Sequence, residues 1–298
     1  PAPVAPSITS QPQGATVNQG QNATFTVAAS GTAPLSYQWR RGGASVSGGT
    51  GAALTISSAQ AGDAGSYDVV VSNSAGTATS AAATLTVNLP PTLGLQPQAQ
   101  VVLVLAAATF SVSASGTAPL AYQWTRNGAD IAGATASAYS TPATGAADDG
   151  AVFAVRVSNV AGTTTSTGAT LTVHVAAAVT GQPQAQVVVA PAAATFSASA
   201  SGTAPLSFQW RRNGSPIPGA TAASYTTPAT TGADHGALYS VQVSNAYGSD
   251  TSGSAALTVN LPPAIATQPL NQAVVAPAAA TFSVAASGTA PLAYQWRT

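Results

Sequence analysis

Side chains able to do chemistry are few in this sequence, and they are scattered. The 298 residues contain two histidines, seven arginines and seven aspartates, with no cysteine, methionine, lysine or glutamate. Without lysine there is no Walker phosphate loop and no Schiff-base chemistry. Without cysteine there is no disulfide, thiolate nucleophile or Cys-ligated metal. Seven dispersed arginines cannot neutralise a run of phosphates, which argues against a nucleic-acid-binding protein.

The histidines offer the best opening for catalysis. His235 follows Asp234 directly, but a triad also needs a nucleophile held in a cleft. The corresponding loop elsewhere in the chain, Asp148-Asp149-Gly150, contains no histidine, and His174 lies in a connector. We therefore interpret the His235 loop as a solvated turn. The sequence predicts no catalytic residue, no cofactor and no enzymatic activity.

The aspartates raise the question of calcium, which takes about six to eight oxygen ligands. The connectors contain no aspartate, and Asp148-Asp149 is the only adjacent pair. We expect no metal site. The sequence instead predicts that Asp63, Asp149 and Asp234 cap tight turns through their own backbone.

Two arginine pairs, Arg40-Arg41 and Arg211-Arg212, follow predicted strands. We interpret them as solvated, with contact to an anionic glycan as the alternative. Asn22-Ala23-Thr24 and Asn213-Gly214-Ser215 match the glycosylation acceptor pattern, which is common by chance.

The composition narrows the class of protein. Charged residues make up 5% of the chain against about 25% in typical soluble domains, the net charge is zero, and 45% of residues are hydrophobic. The longest apolar stretch, Val101 to Phe110, is about half the length of a membrane-spanning helix. These features predict a soluble or surface-deposited β-protein with no membrane span.

The chain contains a long internal repeat. Trp39 recurs as Trp124, Trp210 and Trp296, at spacings of 85, 86 and 86 residues. This period suits a whole small domain and predicts domains in tandem.

Within a repeat the pattern is that of β-strands. Leu35, Tyr37 and Trp39 alternate with polar residues, which gives each strand one buried face. Asn127-Gly128 and Asn213-Gly214 suit type I′ hairpin turns, which need a positive φ at both central residues. About seven short strands per repeat must pack as two sheets, so the sequence predicts an all-β fold of tandem β-sandwiches.

These residues resemble immunoglobulin-like domains of the intermediate type, as found in tandem in large bacterial surface and secreted proteins. In the first unit the resemblance rests on Val27, Trp39, the segment Asp63 to Val69, and the segment Ser72 to Gly76. In that family the positions of Val27 and Val69 often form a disulfide, the tryptophan packs on it, and a tyrosine forms a corner hydrogen bond. The resemblance implies a core, here without the disulfide, that contains Trp39, Trp124, Trp210, Trp296, Val27, Val69, Val112, Val155, Ala198, Val241, Tyr67, Phe153 and Tyr239.

The resemblance and the connectors predict four units: residues 1–88, 89–174, 175–260 and a partial unit 261–298 that holds strands A to C. Short connectors, two of them containing Pro-Pro, predict a semi-rigid rod. We interpret the partial unit as a cut in a longer repetitive chain, with completion by strands of another copy as the alternative. Phe153 replaces the corner tyrosine, which predicts a second unit slightly less stable than the first.

The turn that precedes the second core strand differs between units. It is polar in the first unit and apolar in the others, and an apolar edge favours association. We therefore expect lateral contacts through these segments, although packing within the same or a neighbouring domain is an equal alternative. The candidate assembly contacts are Val102, Leu103, Val104, Leu105, Val188, Val189 and Val275.

Together these inferences predict a non-enzymatic, extracellular or cell-surface rod with a structural or adhesive role. It would assemble laterally or end to end into a filament, sheath or surface layer. Its expected partners are copies of the same repeat protein, and surface glycans are a second class. The alternative is a spacer or glycan-binding array in a larger secreted enzyme. The exterior location rests on the resemblance and on a composition that lacks oxidisable Cys and Met.

Overall fold

The computed structural model describes residues 1–298, and the chain is all-β apart from three single-turn helices. It divides into two compact units, Pro1–Thr172 and Val173–Thr298. The strand pattern repeats three times, which gives a first, a second and a third sandwich. A short fourth set of two strands follows. The structure contains no helix with the length and apolar character needed to cross a membrane.

The first sandwich has ten strands and a helical turn at Ala61–Asp63. In one sheet the strand order is β2-β10-β8-β5-β6, with β9 paired to β8, and the pairs β1–β4 and β3–β7 face it. β2 runs parallel to β10, whereas the other pairs are antiparallel. The strands are β1 Ser7–Ser10, β2 Ala15–Asn18, β3 Ala23–Thr26, β4 Ala28–Ser30, β5 Ser36–Arg41, β6 Ala44–Ser45, β7 Ala53–Ile56, β8 Gly65–Asn73, β9 Gly76–Thr79 and β10 Ala83–Asn88.

The second sandwich repeats this order, with β12-β20-β18-β15-β16 in the larger sheet and a helical turn at Ala146–Asp148. Its strands are β11 Thr92–Leu95, β12 Gln100–Leu103, β13 Thr109–Ser111, β14 Ser113–Ser115, β15 Ala121–Arg126, β16 Ala129–Asp130, β17 Ala138–Ser140, β18 Val152–Asn159, β19 Gly162–Thr165 and β20 Ala169–His174.

The third sandwich has the order β22-β30-β28-β25-β26 and a helical turn at Gly232–Asp234. Its strands are β21 Ala178–Gly181, β22 Gln186–Val189, β23 Thr195–Ser197, β24 Ser199–Ser201, β25 Ser207–Arg212, β26 Ser215–Pro216, β27 Ser224–Thr226, β28 Leu238–Asn245, β29 Gly248–Thr251 and β30 Ala255–Asn260. The last segment forms β31 Ala264–Thr267 and β32 Ala285–Ser287, which pair with each other.

Each sandwich is built around one buried indole. Trp39, Trp124 and Trp210 are fully buried, and each ring N–H donates to a backbone carbonyl 2.9–3.0 Å away. A buried indole N–H needs such a partner, which makes this position specific for tryptophan. Trp296 differs from the expected core role, because it is 51% exposed. The strands that cover Trp39 in the first sandwich have no counterpart around Trp296 in the last segment.

The other predicted core positions lie largely inside the sandwiches. Buried among them are Val27, Val69, Val112, Val155, Val241, Tyr67, Phe153 and Tyr239. Ala198 is only half-buried and packs at the margin of the third core.

The Asn-Gly turns confirm the predicted hairpin chemistry. Asn127 and Gly128 have φ values of 51° and 84°, and Asn213 and Gly214 have values of 51° and 83°. Both central residues therefore occupy the left-handed region, as a type I′ turn requires. Each asparagine also accepts a hydrogen bond through Oδ1, from the backbone N–H of Val152 or of Leu238 at 2.8 Å. The turn sequence thus fixes the hairpin between β15 and β16 and its counterpart between β25 and β26.

Candidate functional site

The strongest candidate site is an apolar stripe on the terminal strands of two sheets. β12 and β22 each end the strand order of their sheet, so each has one edge without a neighbouring strand. Exposed aliphatic side chains follow these strands and the turn after β12. We call this stripe the apolar edge, and it consists of Val101, Leu103, Leu105, Val187 and Val189.

The apolar edge is well exposed, and its strands are short but lack charged side chains and proline. Val101 is 65% exposed, Val187 is 68% exposed and Leu105 is 78% exposed. Natural edge strands are commonly protected by charged side chains, proline or bulges. β12 and β22 contain no charged residue and no proline.

Alternation along the strands separates the predicted contact residues into two groups. Leu103, Leu105 and Val189 are exposed, whereas Val102, Val104 and Val188 are half-buried. Val188 packs against the core of its own sandwich. Val275 is exposed and lies between β31 and β32, outside any strand. Only the exposed group is available for contact with another molecule without rearrangement of the strands.

Leu105 adopts an unfavourable backbone conformation. Its φ is +72°, in the left-handed region, and its N–H donates to the carbonyl of Thr144 at 2.7 Å. The matching residue of the first sandwich is Gly20, with a φ of +84°. A left-handed conformation costs a residue with a Cβ about 1–2 kcal/mol. Because Leu105 is exposed, burial in its own sandwich does not offset this cost.

The first sandwich has polar groups where the second has the apolar edge. Asn18, which matches Leu103, donates through Nδ2 to the carbonyl of Val160 at 3.0 Å. Asn88 donates to Asn18 Oδ1 at 3.1 Å, and Gln21 Oε1 accepts from the Asn18 backbone N–H at 3.0 Å. Here the end of the terminal strand makes polar contacts within the first compact unit.

The first predicted arginine pair uses its donors inside its own sandwich. Arg40 makes two 2.8 Å hydrogen bonds to Asp68, and these bonds raise the pKa of the guanidinium. Arg41 donates to the carbonyls of Gly62 and Ala64.

The second arginine pair is occupied in the same way. Arg211 donates to Gln242 and to the Gly214 carbonyl, and Arg212 pairs with Asp234 at 2.7 Å. An anionic glycan would have to compete with these bonds. The geometry therefore gives little support to an anionic-glycan site on the arginine pairs.

The histidines have structural contacts. His235 Nδ1 accepts a hydrogen bond from the Val259 N–H at 3.2 Å, and the His174 ring stacks on Tyr247 with centroids 4.0 Å apart. The structure brings together no group of three or more His, Asp, Glu or Cys side chains.

The capping prediction is correct for two aspartates and wrong for the third. Oδ2 of Asp63 accepts from the Gln60 N–H at 2.8 Å, and Oδ2 of Asp234 accepts from the Thr231 N–H at 2.8 Å. In the second sandwich Asp148, not Asp149, takes this role, with Gly145 as donor at 2.7 Å. The cap must lie three residues after the residue that precedes the helical turn, and Asp148 has that position.

These caps shift the carboxyl groups toward their ionised form. The backbone N–H of Gly145 lowers the pKa of Asp148, with a smaller contribution from Arg126, which pairs with it at 2.6 Å. The N–H and hydroxyl of Thr231 lower the pKa of Asp234, with Arg212 contributing less. Charge-assisted bonds to a carboxylate favour its ionised form in this way.

The structure also contains cavities that sequence reasoning missed. One, of about 360 Å³, lies in the last segment beside Ile265, Leu292 and Trp296. Another, of about 220 Å³, lies in the third sandwich beside Arg212 and Tyr239. The second cavity lies in a sandwich whose spacing from Trp210 to Val241 is one residue longer than that from Trp39 to Val69, a feature that the spacing from Trp124 to Val155 shares.

Comparison with known proteins agrees with this architecture. Residues 5–73 match the family model described as an immunoglobulin domain. The I-band fragment I67–I69 of titin superposes with a TM-score of 0.71 at 20% identity, over 87% of this chain and 99% of the fragment. Human hemicentin-1 is 28% identical over 317 aligned residues, which cover 98% of this chain and 6% of hemicentin-1. Endoglucanase C of Cellulomonas fimi is 42% identical over 91 residues, 29% of this chain and 8% of that enzyme.

The fold is therefore a tandem array of immunoglobulin-like β-sandwiches, three with the full strand set and one partial. This confirms the expected fold class. The chain spans less than a tenth of the length of hemicentin-1 or of endoglucanase C. No disulfide supports these sandwiches, because the sequence contains no cysteine.

Proposed function

We propose that this chain is a non-enzymatic structural and adhesive rod of immunoglobulin-like modules, located outside the cell or on its surface. The rod assembles with copies of itself by contact along the apolar edge, into a filament, sheath or surface layer. The four modules have the limits 1–88, 89–174, 175–260 and 261–298. The similarity to tandem immunoglobulin domains of hemicentin-1 and titin supports the modular part of this proposal.

The observation that carries the proposal is the exposure of the apolar edge. Full burial of one Val or Leu side chain yields about 1.5–3 kcal/mol, and five such side chains are exposed on the second and third sandwiches. The edge recurs with the repeat, so weak single contacts would add along neighbouring chains. Zero net charge removes the repulsion that would oppose such contact.

The strain at Leu105 supports the same proposal. A glycine would relieve the backbone cost at this position, as Gly20 does in the first sandwich. An exposed leucine at a strained position contributes nothing visible to its own sandwich. Residues held in sparsely populated backbone conformations cluster at functional sites, and contact with another molecule would account for this one.

The test is a pair of charge substitutions on the apolar edge. Leu103→Asp with Leu105→Asp should abolish the concentration-dependent increase in particle mass measured by light scattering. The matched control is Thr163→Asp with Thr165→Asp, which places the same charges at alternate exposed positions of β19 in the same sandwich. Equal behaviour of the two variants, or a wild-type chain that stays monomeric up to its solubility limit, would refute the assembly proposal.

A second candidate function rests on the similarity to endoglucanase C. That match covers 91 residues, about the length of one repeat. It favours a spacer or glycan-binding array attached to a secreted enzyme. The sequence that adjoins this chain in its gene distinguishes the two: further repeats favour the assembling rod, and a hydrolase-like domain favours the accessory array.

A further inference from the structure

A cavity with a mixed polar and apolar lining lies at the corner of the third sandwich, away from the apolar edge in sequence. Its volume is about 220 Å³, enough for several water molecules. β25 and β28 supply Arg212 and Tyr239, β27 supplies Tyr225, and the helical turn supplies Asp234. Its lining thus combines two phenols, one guanidinium and one carboxylate with the apolar residues Ile217, Pro228 and Ala229.

The ring of Tyr239 is buried, and its hydroxyl has no partner within the protein and opens onto the cavity. The residue is 2% exposed, burial raises the pKa of its phenol, and its hydroxyl makes no hydrogen bond. The equivalent Tyr67 of the first sandwich donates its hydroxyl proton to the Asp63 carbonyl at 2.8 Å. The Tyr239 hydroxyl instead faces the cavity, where water or a ligand can pair with it.

One inserted residue explains the difference. Tyr67 follows Asp63 by four residues, whereas Tyr239 follows Asp234 by five, because His235-Gly236-Ala237 is one residue longer than the matching segment of the first sandwich. The longer corner does not form the internal bond, and Tyr239 lines the cavity. Its ring stays fixed by stacking on Phe196 and Tyr225, at centroid distances of 4.5 and 5.9 Å.

The charged groups of the cavity are also held in place. Arg212 Nη2 donates to Asp234 Oδ1 at 2.7 Å, and Thr231 donates twice to Oδ2 at 2.8 and 3.0 Å. The pair is neutral overall, which disfavours a charged ligand. Arg212 Nε is buried and has no partner, so the guanidinium retains donor capacity.

We propose that this cavity binds one sugar residue, a neutral ligand that presents several hydroxyl groups. The phenols of Tyr239 and Tyr225 can donate to and accept from such hydroxyls, and Asp234 and Arg212 add an acceptor and a donor. Pro228 and the ring of Tyr225 provide apolar surface for the C–H groups of the sugar. This site is separate from the association proposed above and does not depend on it.

The second sandwich provides a natural comparison. It repeats the cavity residues as Arg126, Tyr139, Thr141 and Asp148, and the ion pair is present at 2.6 Å. Phe153 replaces the tyrosine, so this corner lacks the central hydroxyl. The substitution Phe153→Tyr should therefore create a second site.

The experiment titrates the full chain with the methyl glycosides of glucose, galactose, mannose and N-acetylglucosamine, observed by saturation-transfer NMR. The Leu103→Asp, Leu105→Asp background keeps the result separate from association. At least one glycoside should bind to a single site with a Kd of about 1 mM. Tyr239→Phe should weaken it about five- to tenfold. Tyr67→Phe, which removes the same atom from the first sandwich, should leave the Kd unchanged.

Phe153→Tyr should raise the number of sites from one to two. The inference is overturned if no glycoside shows saturable transfer, or if Tyr239→Phe binds as well as the parent chain. The near-ultraviolet circular dichroism of each variant, compared with the parent chain, establishes that its aromatic core is intact.

Discussion

The first sandwich and the two that follow have equivalent but separate interiors, and they differ at the surface. Trp39, Trp124 and Trp210 have the same burial and the same carbonyl partner twelve residues later. At the end of the terminal strand, however, the first sandwich has Asn18 in contact with Val160, and the second has exposed Leu103. The repeat therefore preserves what packs the sandwich, and the surface varies independently of it.

The residues that stabilise each sandwich are therefore different from the surface residues proposed to contact other molecules. The same change in the core should have a similar effect in whichever sandwich carries it, because each sandwich depends on an equivalent indole. A change at the edge or at the corner should affect only the sandwich that carries it. Substitutions in the core, at the corner, at the edge and at the caps test this separation.

The largest effect is expected in the shared interior. Trp39→Ala or Trp124→Ala should each destabilise its own sandwich by about 3–5 kcal/mol, from lost burial and the cavity left behind. Trp296→Ala should cost much less, because this side chain is half-exposed. Hydrogen exchange with mass spectrometry on the full chain measures each sandwich separately. Equal losses of protection for Trp296→Ala and Trp39→Ala would contradict the description of the core.

The corner tyrosines should give a smaller and unequal effect. Tyr67→Phe removes a hydrogen bond to the Asp63 carbonyl and should cost about 1 kcal/mol. Tyr239→Phe removes an unpaired hydroxyl and should leave stability unchanged or slightly higher. Hydrogen exchange of the β8 and β28 peptides measures both. A similar loss in the two variants would show that the Tyr239 hydroxyl has a partner in solution.

Substitutions at Leu105 and at Gly20 compare the turn of the apolar edge with the matching turn of the first sandwich. Leu105→Gly should relieve the backbone cost at φ +72° but increase the entropy of the unfolded chain, for a net gain of roughly 0.5–1 kcal/mol. The same change should weaken association, because it removes an exposed side chain of the apolar edge. Gly20→Leu in the first sandwich is the reverse substitution and should lower stability. Denaturant titration and light scattering on both variants separate the two effects.

The caps should give the smallest effect, and it depends on pH. The pKa values of Asp148 and Asp234 are lower in the folded chain than the value of about 3.9 for an unfolded one. Their stabilisation is therefore present above about pH 4 and is lost as the pH falls through the folded values. Both carboxyls are partly exposed, so each should contribute less than about 1 kcal/mol. Asp148→Asn should reduce the acid sensitivity of the second sandwich, measured by exchange at neutral and acid pH.

The interior was predictable from sequence because it follows from local patterns. Alternation around Trp39 identifies the buried face of a strand, and Asn127-Gly128 specifies its turn, since only a few residues tolerate a positive φ. The cap of the second sandwich was placed one residue too far along, at Asp149, because sequence alone does not fix which residue starts the helical turn.

The surface was less predictable because the exposure of a side chain depends on how the strands pack in the folded chain. Val102 and Val104 look equivalent to Leu103 in the sequence, but the pleat turns them toward the interior. The unpaired Tyr239 depends on one inserted residue, whose effect appears only when the corner is built.

The most direct test of assembly along the apolar edge uses the absence of cysteine from this chain. Val101→Cys introduces a single thiol on the apolar edge, and Ala44→Cys places one on exposed β6 at the opposite end of the strand order in the first sandwich. Under mild oxidation the Val101→Cys chain should form disulfide-linked dimers rapidly, and Ala44→Cys should remain largely uncross-linked. Equal rates for the two variants, or faster cross-linking through Ala44→Cys, would contradict the account.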